Sequence, residues 1–76
     1  MSVRISAYDR EGLMRDVSTL VSNEGISMSS ANISTSNSLA VFDLVMEVTD
    51  IGQLSRTLNR LEALPNVLEA RRISPG

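Results

Sequence analysis

Along this 76-residue chain the apolar spacing passes from alternation to a helical face and back to alternation, and then repeats the cycle. Residues 3–8, VRISAY, set Val3, Ile5 and Ala7 on one side and Arg4, Ser6 and Tyr8 on the other, which predicts a half-buried strand. From Leu13 the apolar positions are Leu13, Val17, Leu20 and Val21, with Met14 alongside, the spacing of one helix face. NEGI ends that helix, because Gly25 suits the left-handed residue that follows a helix C-terminus. A second strand follows from Ile26 to Thr35. Its inward phase switches between Ile26 and Met28 on one parity and Ala31 and Ile33 on the other, which predicts a bulge near Ser29 and Ser30.

Ser36 to Ser38 reads as a tight connection. The run after it, LAVFDLVMEV, places Ala40, Phe42, Leu44, Met46 and Val48 on one strand face, while Val41 and Val45 are left on the other. Ile51, Leu54, Leu58 and Leu61 then recur at helical spacing, with Asp50 and Gln53 placed to form a capping box and Pro65 to end the helix. VLEARRI, residues 67–73, is a final strand, and the chain end from 73 to 76 reads as a tail.

The order β-α-β-β-α-β divides into two strand-helix-strand halves. Two such split units interleave into a four-stranded antiparallel sheet with both helices on one face, the ferredoxin-like α+β sandwich. One domain is expected at this length. The open face of the sheet carries Val41 and Val45, either as scattered surface valines or as residues beneath a neighbouring subunit.

This topology hosts many chemistries, so function must be sought in the side chains. The chain has no Cys, His, Trp or Lys, which removes thiolate metal sites, disulfides and any Ser-His base arrangement. Two aromatic residues, Tyr8 and Phe42, are too few for a base-stacking platform, and a net charge of −2 does not favour nucleic acid or an anionic membrane. Asp43 and Glu47 share a strand face but stand about 13 Å apart by strand rise, beyond the reach of a glycosidase-type pair. No apolar run is long enough to cross a membrane and the N-terminus lacks the order of a signal peptide, so a cytoplasmic, non-catalytic domain without metal or cofactor is expected.

The segment YDREGLMRD, residues 8–16, holds a puzzle. Asp9 reads as the helix N-cap and Glu11 as pairing with Arg15, which puts Gly12 in the first helical turn at a cost of roughly 1 kcal/mol against alanine. Either a side chain there would strike the neighbouring strand, or the backbone must approach a ligand or partner closely. A helix N-terminus with free N–H groups suits a carboxylate such as that of a free amino acid.

DREGLMRDVSTLVSNEGISM resembles the Asp-x-Pro-Gly-hydrophobic loop and following Gly-Ile-Asn-Ile element of ACT domains, regulatory modules that bind amino acids. The likeness extends over nearly the whole chain. With the later run AVFDLVMEVTDIGQLSRTLNRLEALPNVLEARR, the chain is most similar to the C-terminal ACT domain of RelA/SpoT-type GTP pyrophosphokinases, the stringent-response enzymes. Glu11 stands where many ACT domains have proline and Ser27 where many have a ligand-contacting asparagine, so position 27 keeps a hydrogen-bonding hydroxyl but not an amide's paired donor and acceptor.

The resemblance implies an effector or contact surface at Asp9, Arg10, Glu11, Gly12, Leu13, Met14 and Ser27. It implies pairing side by side through an edge strand, Ile26 to Thr35, whose serines read equally as a solvated edge. It also implies regulation of a parent enzyme through an amino-acid ligand, intramolecular inhibition, or contacts with the ribosome and tRNA. A free-standing or biosynthetic-enzyme ACT domain that binds a metabolite, and a docking module without a ligand pocket, are the alternatives.

Overall fold

A computed structural model describes residues 1–73. The elements are β1 (Ser2–Tyr8), α1 (Leu13–Asn23), β2 (Ser27–Ser36), β3 (Leu39–Glu47), α2 (Ile51–Glu62) and β4 (Val67–Ile73). The four strands form one antiparallel sheet in the order β2-β3-β1-β4, which is the ferredoxin-like arrangement the sequence predicts. β4 takes in Ile73, where the sequence reading began its tail, and residues 74–76 of that tail lie outside the described residues.

Alternation fixes which strand residues meet the helices. Val3, Ile5 and Ala7 of β1 pair with Leu44, Phe42 and Ala40 of β3, and all six are buried against Leu13, Val17 and Val21 of α1 and Leu54 and Leu61 of α2. Burial of a side chain such as Phe42 or Leu61 contributes about 1.5–3 kcal/mol. Thr57 is fully buried within this layer and satisfies its hydroxyl by donating to Gln53 O at 2.9 Å. Ile51 differs from expectation: it opens α2 on the outer side and is 53% exposed, while Thr57 takes the inward place.

The parity switch in the second strand is a bulge. Met28 pairs with Met46 and Ser30 with Val45, so Ser29 is the extra residue. The hairpin that follows turns on Asn37 and Ser38, both at positive φ (52° and 68°), the two-residue geometry whose twist matches that of its flanking strands. On the open face, Val41 lies beside Ser34 and Ser6, Val45 beside Ser30 and Ser2, and the Arg4–Asp43 ion pair (2.7 Å) runs between them. The two valines are therefore separated by charge and do not form a continuous apolar strip.

Gln53 joins the ends of the two helices. Asp50 Oδ1 accepts from Gln53 N at 2.8 Å, as a cap requires, but the Gln53 side chain accepts from Thr49 N (2.9 Å) and Thr49 Oγ1 (3.0 Å), one residue earlier than a capping box places it. Its Nε2 donates to Glu24 O at 2.9 Å, which satisfies a carbonyl at the C-terminus of α1. Arg60 Nε stands 2.9 Å from the buried Glu24 Oε1, which balances its charge; the approach is off the N–H direction, so that oxygen accepts no hydrogen bond among the described residues.

Candidate functional site

The loop from Asp9 to Gly12 leaves the end of β1 and is held from both sides. Tyr8 N donates to Asn66 O (2.8 Å) and Asp9 N to Ser38 O (2.8 Å), so the α2–β4 turn and the β2–β3 hairpin brace it. Asn66 can serve this turn because, like few side-chain-bearing residues, it tolerates positive φ (74°). Leu13 N then donates to Arg10 O (3.3 Å), closing a turn, and α1 begins at Leu13 with Gly12 as its N-cap.

This corrects two expectations. Asp9 does not cap α1: its backbone is committed to the hairpin, and among the described residues no side chain caps the helix. Gly12 is not inside the first turn but before it, at φ 80° and ψ 0°, a left-handed conformation that costs an L-residue about 1–2 kcal/mol and glycine little. Glycine is thus the residue this corner favours. Asp16 N makes the first regular helical bond, to Gly12 O at 2.9 Å, and with no side-chain cap the Met14 and Arg15 amides are unpaired among the described residues.

Side chains around the loop are arranged differently from the expected Glu11–Arg15 pair. Arg10 is the organising residue: its Nη2 meets Asp16 Oδ2 at 2.9 Å, its Nε donates to Pro65 O at 3.3 Å, and its Nη1 donates to Glu11 O at 3.4 Å. Arg15 instead lies over Gly12, where a β-carbon would stand 3.2 Å from Nη2. Leu13 is buried and belongs to the core, whereas Met14 is 36% exposed at the rim. No cavity opens beside Gly12 among the described residues.

Ser27 is not part of this cluster. It begins β2 opposite Glu47, at the end of the sheet where β1 starts, while the loop follows Tyr8, which pairs with Leu39 at the other end. The length of β1 separates the two places by about 20 Å at a strand rise near 3.3 Å per residue. One chain therefore gathers Asp9, Arg10, Glu11, Gly12, Leu13 and Met14 but not Ser27. Arg15, Ser38, Pro65 and Asn66, which shape the loop, were not legible as such in the sequence, because three of them reach it from distant segments.

Among the described residues no group of carboxylates, histidines or cysteines could hold a metal ion, and no helix is long and apolar enough to cross a membrane. The Arg4 guanidinium is raised above its ordinary value first by the hydrogen bond to Asp43 and then by that residue's charge.

β2 is the other exposed feature. Met28 is half-buried, but every residue from Ser29 to Ser36 is exposed, including Ala31, Ile33 and Thr35 on the helix side. The strand forms an edge of the sheet, carries no charge or proline, and extends past the cover that α1 provides.

Residues 1–72 match the sequence profile of the ACT domain. The chain is 40% identical over 75 residues to a GTP pyrophosphokinase of Haemophilus influenzae, which covers 96% of this chain and 10% of that protein. A GTP pyrophosphokinase of Escherichia coli is 36% identical over 73 residues, 93% of this chain and 10% of its own length. The chain thus spans about a tenth of these curated relatives. In fold it is similar to the crystal structure of the ACT domain from the GTP pyrophosphokinase of Chlorobium tepidum, with a TM-score of 0.85 at 15% identity over 95% of this chain and 94% of that one.

Proposed function

This chain belongs to the ACT domain family, and from that premise we propose that it is a non-catalytic regulatory module of a RelA/SpoT-type GTP pyrophosphokinase that works by pairing through β2. The observation that carries this reading is the exposure of β2 from Ser29 to Ser36 on both faces and along an uncharged edge. Such an edge offers its unpaired backbone groups to another strand.

Pairing also unites the divided site. When two copies of β2 run antiparallel about a two-fold axis near the middle of the strand, Ser27 of the second copy comes opposite Ser36 of the first, at the end where the Asp9–Met14 loop lies. An amino acid would then be held at the seam, its carboxylate toward the uncapped start of α1 and its remaining groups toward the hydroxyl of the second copy's Ser27. Within one chain Arg15 lies over Gly12 and no cavity opens beside it among the described residues, so this loop alone offers no effector site and the reading requires the second copy.

The test combines sedimentation with calorimetry. The chain should associate to dimers as its concentration rises, and Ala31→Pro, at a position whose N–H faces the open edge while that of Asn32 faces Asp43 in the ladder, should abolish this while leaving the fold intact. Titration of the standard amino acids into the paired form should give heat with one or two of them, lost in Ala31→Pro. A chain that pairs but binds no amino acid would act as a docking module, and one that never pairs would refute the β2 reading.

A further inference from the structure

The sheet treats its two edges in opposite ways. β2 is ten residues long, uncharged, and in unbroken register with β3 from Ser30 to Ser36. β4 has seven residues, carries Glu69, Arg71 and Arg72, and loses register where Ser6 pairs with Glu69 but Ala7 with Val67, so that Leu68 bulges out. Between the charges and the bulge lies Ala70, and its backbone N–H is already taken: it donates to Glu62 Oε2 at 3.2 Å. Glu62 is the last residue of α2, and its carboxylate reaches down to the strand beneath the helix.

Hydrogen bonds, charge and a bulge are three separate obstacles to strand addition, and only β4 combines them. The number of open edges decides what self-association can build. A module with one open edge stops at two copies, because a two-fold pairing uses that edge in both; a module with two open edges can continue into a chain.

We propose that Glu62 closes the β4 edge, so that a second copy of this chain can add its strand only at β2 and assembly ends at a pair. The proposal rests on the reading of β2 as the pairing edge, and its test separates the two. Sedimentation of the wild type, Glu62→Ala and Glu62→Gln is compared over a wide range of concentration. Glu62→Ala should associate one step further than the wild type, giving species larger than dimers where the wild type stops at two. Glu62→Gln keeps an oxygen acceptor and should behave as the wild type does.

Amide exchange gives a reading that does not depend on association. The Ala70 amide should exchange about tenfold more slowly in the wild type than in a chain lacking the carboxylate, as expected for a hydrogen bond to a charged acceptor. In the wild type alone it should be protected although it lies at an edge. A folded Glu62→Ala that matches the wild type at every concentration, or a wild-type Ala70 amide that exchanges as freely as in an unstructured peptide, overturns the proposal. A wild type that never pairs, but whose Ala70 amide is protected, refutes the β2 reading and upholds the closure of β4.

Discussion

Arg15 lies across Gly12: a β-carbon at position 12 would sit 3.2 Å from Arg15 Nη2, on a backbone already at φ 80°. Gly12→Ala should cost about 1–2 kcal/mol, most of it from the left-handed backbone. Urea unfolding of Gly12→Ala, Arg15→Ala and the double variant separates the causes. Removing Arg15 should recover only the small contact part, because the flexible guanidinium can move aside and the backbone cannot. Full recovery in the double variant would show that crowding, not conformation, selects glycine here.

α2 depends on its cap. Asp50 accepts from Gln53 N at 2.8 Å, so Asp50→Ala should lose about 1 kcal/mol in chemical denaturation, while Asp50→Asn, which keeps an acceptor oxygen, should lose only a few tenths. Equal losses in the two variants would mean that charge at the helix start, and not the hydrogen bond, is what stabilises it.

Two apolar residues of the same helix should differ sharply in how much their removal costs. Leu61 is fully buried and Leu61→Ala should cost about 2–5 kcal/mol, a large part of the roughly 4–11 kcal/mol that a domain of this size commands. Ile51 is 53% exposed, and Ile51→Ala should stay within about 0.5 kcal/mol of the wild type in thermal melting. A large loss at Ile51 would mean that another surface covers it.

The Arg4–Asp43 pair on the open face has its two side chains 43% and 44% exposed, so solvent and salt screen it. A double-mutant cycle should find a small coupling that fades at molar salt. Because the pair raises the guanidinium pKa, its contribution is complete below the unfolded value and is lost only as pH climbs through the folded one, far into alkali. From about pH 7 to about pH 10 the stability difference between the wild type and Arg4→Ala should therefore stay constant. A difference that changes within that window would place the titrating group elsewhere.

Elements whose shape follows from neighbours in sequence were legible without coordinates. The alternation of Val3, Ile5 and Ala7, the parity change around Ser29 and the Asp50 cap each express a local rule, and each is present. The first loop escaped that logic because its shape is set from afar. Asp9 resembles a cap, but Ser38 takes its amide from across the hairpin, Asn66 takes that of Tyr8, and Arg10 turns toward Pro65. These moves delay the helix to Leu13 and place Gly12 outside it.

A glycine does lie within a first helical turn, but it is Gly52, where a β-carbon would come 3.0 Å from the capping Asp50 Oδ1. At neither glycine is the neighbour a strand: the close atoms belong to the side chains of Arg15 at Gly12 and of Asp50 at Gly52. The separation of Ser27 from the loop could not be read from the sequence either, because no local pattern records that β2 begins at the far end of the sheet.

That separation has a thermodynamic consequence. If the effector's contacts come from opposite ends of two copies, its binding and their association are linked equilibria, and each must strengthen the other by the same factor. Occupancy would then depend on how abundant the polypeptide is as well as on the free metabolite. A dilute preparation would look insensitive to a compound that a concentrated one detects.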